Sequence, residues 1–459
     1  MTDQVTDAMQ QFGGAGPSGV STTAGLVLLY ADGFLNLPPV WPLPAAGTLL
    51  IGSSASADLQ LPVQAVSRQH AELSKERAGW RLRDLQSTNG SFVDGHRIRE
   101  ALLEHGQELR FGDAILKFVS AEAEGYADYR IDGSRSPAAG SRAGATGLIG
   151  GYQMDRIARQ IQLVSREATT SPLSVLLLGE SGTGKEVVAN AIHQQSGRRG
   201  AFRAVNCAAL PKDLVESELF GYHRGAFSGA HRDKPGLIRA AHRGTLLLDE
   251  IGDMPLDAQA KLLRVLQSRE LFPLGATEAE PVDVRIIGAT HQNLDQLLAR
   301  GAFRQDLYAR LNEYHLSLPP LRERKEDIFM LLGEFFRRHG GGALQVTFPF
   351  MTALLHYDWP YNVRELESCA KRAVVLSQGR PLDESMLTED IAREMEDYGQ
   401  VHLPVDTQGD AVPSQADLVA LLERHQGNVA AVGRDLGKAR MQVHRWLKRY
   451  GIEIADYRG

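Results

Sequence analysis

Gly179, Gly182, Gly184 and Lys185 fall within LSVLLLGESGTGKE, residues 173–186, where an apolar run gives way to glycines and a lysine. The glycines let successive backbone N–H groups turn toward one anionic point. A helix N-terminus adds its positive end, and Lys185 can reach the outer phosphates of a nucleotide. Glu180, Ser181 and Thr183 complete the loop. A Ser or Thr commonly follows such a lysine as a magnesium ligand, and Glu186 stands there instead. Acidic chemistry must therefore come from elsewhere. Asp249 and Glu250 supply it, directly after the apolar run Thr245 to Leu248. An acid pair at a strand end suits nucleotide hydrolysis: Asp249 to hold a Mg2+ shell, partly through water, and Glu250 to orient and deprotonate the attacking water. The two motifs together read as an ATPase using ATP and Mg2+.

Such a site needs a rigid scaffold. Strand-length runs recur in FRAVNCAAL, GTLLLDEIGDM and VDVRIIGAT, alternating with helical periodicity at Val187, Val188 and Ile192 and over 257–267. Strands alternating with helices imply a parallel sheet covered on both faces. This places an α/β domain at about 148–396.

The 459 residues suffice for about three domains. Hydrophobic residues at 43% and charged residues at 23% are ordinary soluble-protein usage, and a net charge of −6 excludes a chain that is basic throughout. Cys207 and Cys369 match no disulfide or metal spacing, which fits a reducing cytoplasm. No signal peptide is read at the N-terminus, and no run approaches the roughly 20 apolar residues of a membrane span. Residues 1–24 read as a disordered lead-in, and 121–147, rich in Ala, Gly and Ser, as a flexible linker. A second linker with Pro and Gly is expected at 397–413.

Between these, residues 25–120 carry short apolar runs (LVLLY, TLLIG, AELS, WRLRDL, SFVDG, ILKFV) at a spacing near ten residues, the pattern of an all-β sandwich. Ser67-Arg68-Gln69-His70 and Ser87-Thr88-Asn89-Gly90 sit at loop-like positions in it. The segment resembles the forkhead-associated (FHA) domain, which implies a phosphothreonine-protein partner. Arg68, Ser67 and Thr88 can supply the guanidinium and hydroxyl donors a phosphate needs. The resemblance gives Asn89 the peptide backbone and His70 a scaffold role. Ser53, after Gly52, stands where that family usually has arginine, so a sandwich that docks on a partner without reading phosphate stays open.

The order of motifs in the central domain is more specific than a phosphate loop alone. GESGTGKE, VNCAAL, GAFSGA, GTLLLDEIGDM, RIIGATHQNL, FRQDLYARLN, LPPLRER and WPYNVREL resemble the AAA+ domain of sigma-54-dependent transcriptional activators, with its helical lid. That resemblance implies that Asn206 couples Glu250 to nucleotide state and that Thr290 and His291 occupy the first sensor. It further gives Arg304 and Arg310 to a neighbouring subunit's nucleotide, in a homo-oligomeric ring expected to be a hexamer, and Arg364 to the second sensor. The arginines could also be a solvated helix face pairing with Asp306. Gly225, Ala226, Phe227, Ser228, Gly229 and Ala230 match the loop that touches the sigma factor, with Ser228 replacing threonine. An exposed Phe227 would waste apolar area unless a partner covered it; a turn with a buried Phe is the alternative. Arg239, Arg243 and Tyr361 depart from the family's glutamate and two glycines, which bears on coupling to sigma-54.

Residues 414–459 show helical spacing over about 414–425 and 429–436, a turn at Gly437, and a third basic helix from about Arg440 to Tyr450. This resembles the Fis-type helix-turn-helix, an all-α module. Its third helix would enter the major groove of double-stranded DNA, with Arg440, Gln442, His444, Arg445 and Lys448 as contacts. The resulting expectation is a multidomain cytoplasmic chain, with an FHA sandwich, a phosphate-loop ATPase with a helical lid and a helix-turn-helix, activating transcription by sigma-54 RNA polymerase. Two rivals are a sigma-54-independent DNA-binding regulator and a phosphopeptide scaffold with an idle ATPase.

Overall fold

The computed structural model describes residues 22–134, 147–165, 173–396, 398–399, 413–436, 440–452 and 454–457. Most of the expected lead-in and of the second linker, residues 135–146 of the first, and the turn at Gly437 lie outside the described residues. Residues 121–134, expected as flexible linker, are described and include the short 3-10 turn Ala123–Tyr126, with Ala123 and Tyr126 buried. The chain divides into two compact units, one within Met1–Tyr129 with Gly399–Leu403 and one within Arg130–Tyr398 with Pro404–Gly459.

In the first unit two sheets face each other. One has six strands in the order Val40–Pro42, Gly25–Ala31, Ala114–Val119, Glu108–Phe111, Ser91–Val93 and His96–Ile98. The other has five, in the order Leu59–Gln60, Thr48–Gly52, Ala71–Glu76, Gly79–Asp84 and Glu100–Leu103. Alternation drives the packing: Trp80 and Leu82 are buried in the core while Arg81 and Arg83 point away from it. Five strands escape the periodicity read from the sequence, namely those at Val40, Leu59, His96, Glu100 and Glu108. Each has two to four residues, too few for a period of two to show.

The second unit is built on a five-stranded sheet in the order Phe202–Asn206, Thr245–Asp249, Arg285–Thr290, Val175–Leu178, Tyr314–Ser317, with every pairing parallel. Successive side chains enter opposite cores. Leu246, Leu248 and Ile286 pack toward the helix Leu256–Ser268, and Leu247, Ile287 and Ala289 toward Tyr152–Ser165 and Lys185–Gln195. Burial on both faces is why these strands read as unbroken apolar runs. Each fully buried Leu or Ile contributes about 1.5–3 kcal/mol, which fixes the strand ends that carry the chemistry.

Four helices follow, Ile328–Arg338, Phe348–His356, Asn362–Ser377 and Glu389–Glu394, with Tyr357 and Trp359 buried among them. The last three, Gln415–Arg424, Val429–Asp435 and Arg440–Tyr450, close on their own core of Leu418, Leu422, Val432, Val443, Trp446 and Leu447. Ser414 and Asp417 cap the first of them reciprocally, Ser414 Oγ accepting from Asp417 N at 3.2 Å. No helix among the described residues is long and apolar enough to cross a membrane.

Candidate functional site

The strand Val175–Leu178 ends at Gly179 and the helix Lys185–Gln195 starts at the lysine. Between them Gly179, Gly182 and Gly184 have φ of 156°, 77° and 105°. At Gly182 glycine is required twice over, since an added Cβ would stand 2.1 Å from the Tyr361 carbonyl oxygen. Lys185 Nζ donates to the Gly179 and Glu180 carbonyls at 2.7 and 3.2 Å and lies 3.8 Å from Glu250 Oε1. The ammonium is thus confined between the loop and the acid pair.

Asp249 and Glu250 emerge from the adjoining strand Thr245–Asp249. Burial, then the Glu250 charge, raise the Asp249 carboxyl above its ordinary value against the pull of Lys185. Its Oδ1 is buried with no hydrogen-bond partner among the described residues. An orphaned carboxylate oxygen at this strand end fits the hydrated shell of Mg2+, which keeps several waters and takes one or two carboxylates. Glu250 behaves oppositely. Burial opposes its ionisation, but the hydrogen bond from His291 and the charges of His291 and Lys185 outweigh burial and hold it below the usual range. His291 Nδ1 lies 2.8 Å from Glu250 Oε2, and Thr290 Oγ1 donates to the same oxygen at 3.4 Å. Glu250 itself adopts φ 50°, in the left-handed region. Asn206, expected to couple to Glu250, has its side-chain oxygen occupied by the N–H groups of Ala208 and Ala209 at 2.9 and 3.2 Å.

The helical lid closes on the loop from above. Arg364 Nη1 donates to Ser181 Oγ at 3.2 Å, and Val363 N to the Gly182 carbonyl at 3.1 Å. Three residues given no role by sequence reasoning brace the same loop. Asn362 Nδ2 donates to the Ser181 carbonyl at 3.0 Å, Arg322 Nη1 to Glu180 at 2.8 Å, and Arg324 Nη2 to the Thr183 carbonyl at 3.0 Å. Burial alone would favour protonation of Glu180, yet Arg322 outweighs it and lowers the carboxyl below its ordinary value. The only sequence signal for this was the pair of arginines in LPPLRER. Tyr361 has φ −104°, so the glycine usual there is not needed for backbone freedom. Arg243 does occupy left-handed space, at φ 60°, pinned by Gly200 N donating to its carbonyl at 2.8 Å.

Arg304 and Arg310 are exposed and meet acids of their own chain, Arg304 with Asp306 at 2.7 Å and Arg310 with Glu313 at 3.8 Å. Such exposed, solvent-screened pairs are weak and would exchange readily for a stronger anion. Glu186 lies exposed on the first turn of the helix, away from the role a Ser or Thr would have there. Cys207 and Cys369 are buried, which pushes both thiols up to about 12. Neither is a nucleophile.

The GAFSGA segment projects between the short paired strands Gly221–Tyr222 and Lys234–Pro235. Gly225 N donates to the Ala230 carbonyl at 2.9 Å, closing the loop, and Ala230 is buried. Phe227 is 44% exposed, its ring edge-on to Tyr222 at 4.9 Å, so the loop presents its aromatic side chain to solvent. Ala226 and Ser228 flank it. The loop's base is tied to a second hairpin, His223 N donating to the Leu274 carbonyl at 3.0 Å and Leu274 N to Gly221 at 2.9 Å. Arg239 pairs with Glu280 of that hairpin, so the basic departure finds an acid.

In the β-sandwich, Ser67 and Thr88 come together: Thr88 N donates to Ser67 Oγ at 3.1 Å. Asn89 Nδ2 donates to the Ala65 carbonyl at 2.8 Å, and Arg68 is exposed beside them. His70 is fully buried, accepting from Ser67 N at 3.1 Å through Nδ1 and facing the Gly90 carbonyl at 3.1 Å through Nε2. That pattern fixes the proton on Nε2 and makes His70 a strut between the two loops. Burial lowers its pKa. Asp84, unremarked in the sequence, accepts from Ser87 and Ser91 hydroxyls at 2.6 and 2.7 Å and shapes the second loop. Arg97 also borders it, close enough that a Cβ on Gly90 would stand 2.4 Å from Arg97 Nε. A guanidinium therefore adjoins the loops although Ser53 carries none.

On the last helix, the side chains of Arg440, Gln442, Arg445 and Lys448 lie outside the described residues. His444 is described and buried.

Comparison with known proteins fits this geometry. The chain matches the Sigma-54 interaction domain over residues 151–317, the FHA domain over 49–112 and the AAA+ ATPase lid domain over 322–402. It is 43% identical to the regulatory protein AtoC of Escherichia coli K12 over 62% of this chain and 64% of that one. The transcriptional regulatory protein GlrR of the same organism is 40% identical over 66% and 68%. The DNA-binding transcriptional regulator NtrC of Salmonella typhimurium LT2 is 41% identical over 61% and 66%. The chain spans about half to two thirds of the length of the curated relatives it matches, from 48% to 68%. With a sigma-54 interaction domain, its lid and an FHA domain in one polypeptide, the chain belongs to the family of sigma-54-dependent transcriptional regulators.

Proposed function

We propose that this protein is a DNA-bound ATPase that uses ATP hydrolysis to drive the GAFSGA loop against sigma-54 RNA polymerase, under the control of its FHA domain. The carrying observation is the exposed Phe227 on a loop whose base is hydrogen-bonded, through Leu274, to the domain that holds Lys185, Asp249 and Glu250. Lys185 and the loop N–H groups bind the phosphates, and Arg364 and Asn362 close the lid over them. Mg2+ bound with the nucleotide would neutralise phosphate charge, with Asp249 in its shell. Glu250 is ionised and takes the proton of the attacking water. Arg304 and Arg310 of an adjoining subunit complete the site, so hydrolysis requires assembly into a ring. Ser67, Arg68, Thr88 and Asn89 receive a phosphothreonine peptide, and the last helix reads duplex DNA.

Transcription from a sigma-54 promoter with purified components tests this reading, comparing the parent with Phe227→Ala while the ATPase rate is followed. Loss of transcripts with hydrolysis retained is the expected result. Hydrolysis with transcripts from neither protein would instead favour a regulator independent of sigma-54.

A further inference from the structure

The helix Arg440–Tyr450 uses Val443, Trp446 and Leu447 to hold its own three-helix core. His444 does not belong to that core, yet it is only 6% exposed. Its Nε2 lies 2.9 Å from Oδ1 of Asp358, whose side chain is 4% exposed. Asp358 stands in the turn that leads into the lid helix Asn362–Ser377 of the ATPase domain. Contact continues along the same flank. Gln296 Nε2 donates to the Tyr450 carbonyl at 3.5 Å, and a Cβ on Gly451 would stand 2.7 Å from the same nitrogen. Pro360, Leu447 and Ile452 line a cavity of about 630 Å³ between these points.

A carboxylate withdrawn from water needs compensating charge; the buried Arg322 guanidinium faces Asp358, and the helix expected to meet DNA adds His444. The carboxylate presents to His444 the kind of anionic oxygen that a DNA phosphate would. Steric limits are stricter still. The major groove is about 12 Å wide and an α-helix with its side chains is about 10–12 Å across, so a helix in the groove has both flanks against the DNA walls. A helix with one flank seated on protein cannot enter.

We propose that the ATPase domain carries a docking surface, centred on Asp358 and Gln296, for the chain's own DNA-reading helix, and that docking and DNA binding exclude one another. The proposal rests on the DNA-binding reading above. It also gives a route to the nucleotide. Asp358 and Asn362 share one turn, and Asn362 holds the Ser181 carbonyl of the phosphate loop at 3.0 Å. DNA that draws the helix away would thereby alter the support of that loop.

The test uses the full-length chain with Gln296→Cys and Gly451→Cys, both native cysteines being buried. Mild oxidation should close a disulfide in the DNA-free protein. The oxidised form should then bind a labelled mixed-sequence duplex of about 40 base pairs at least roughly tenfold more weakly at fixed salt, with recovery on reduction. Asp358→Ala, tested separately, should bind the duplex severalfold more tightly than the parent. Equal affinity of oxidised and reduced forms, or equal affinity of Asp358→Ala and parent, would overturn mutual exclusion. Absence of the disulfide together with equal duplex affinity of Asp358→Ala and parent would overturn the docked contact. Failure of every reduced form to bind duplex would remove the DNA-binding reading itself, while closure of the disulfide would still show that the contact exists.

Discussion

Two carboxyls one residue apart end up with opposite tendencies. Asp249 is raised by burial and by its neighbour, whereas Glu250 is held low by His291 and Lys185. That division supports the proposed split, with Asp249 in the metal shell and Glu250 as the base. Glu250→Gln should retain ATP binding, read by fluorescent-nucleotide titration, and lose about 10²–10⁴ in turnover. Unchanged turnover would remove Glu250 as the base. In the sandwich, His70 carries a different consequence. Its folded pKa is lowered by burial, so the unfolded chain binds the proton more readily. Its stabilising contribution is complete above the ordinary histidine value and falls as pH drops below about 6.5, by at most about 1.4 kcal/mol per pH unit. Hydrogen exchange of the strand Ala71–Glu76 between pH 7.5 and 5.5 reads this directly. A His70→Gln chain should have lower protection throughout but a flatter pH dependence.

The elements around the coupling loop show how a departure in sequence can be absorbed. Arg239 on the helix Leu237–Ala240 meets Glu280 on the neighbouring hairpin. Arg239→Glu should set two carboxylates against each other, loosen the hairpin in hydrogen exchange and lower transcription more than ATPase rate. Adding Glu280→Arg should restore both, because the charges are exchanged and the geometry kept. Failure of the double variant to recover would mean that the pair does not set the position of the loop. The magnitude should be modest, about 0.2–1 kcal/mol, since Arg239 is largely exposed. Gly182 is less forgiving, for any side chain there meets the Tyr361 carbonyl and separates lid from loop.

For the whole molecule, the proposed ring would bring Arg304 and Arg310 to a neighbouring subunit's nucleotide. Arg304 and Arg310 reach their own Asp306 and Glu313, not Lys185 or Glu250. ATPase rate per chain should rise with protein concentration, and Arg304→Ala should lower it by roughly 10³–10⁵. Mixing Arg304→Ala with Glu250→Gln should regain activity, since each variant supplies what the other lacks at a shared interface. No recovery on mixing would place Arg304 in its own subunit's site or outside catalysis altogether.

The grouping of Lys185 with Asp249 and Glu250 was legible in the sequence because it lies in contiguous motifs: the glycines and Lys185 in one turn, Asp249 and Glu250 at one strand end. Strand and helix alternation was equally readable, since burial on both faces leaves unbroken apolar runs. The FHA loops could be read for the same reason, Ser67 to His70 and Ser87 to Gly90 each being local. What the sequence could not show are partners brought together over long separations. Arg322, Arg324 and Asn362 reach back to Glu180, Thr183 and Ser181, and Arg97 comes to lie beside Gly90. His444 faces Asp358 for the same reason. No periodicity or local spacing encodes such pairs; they exist only once packing of the separate elements has fixed where each side chain ends.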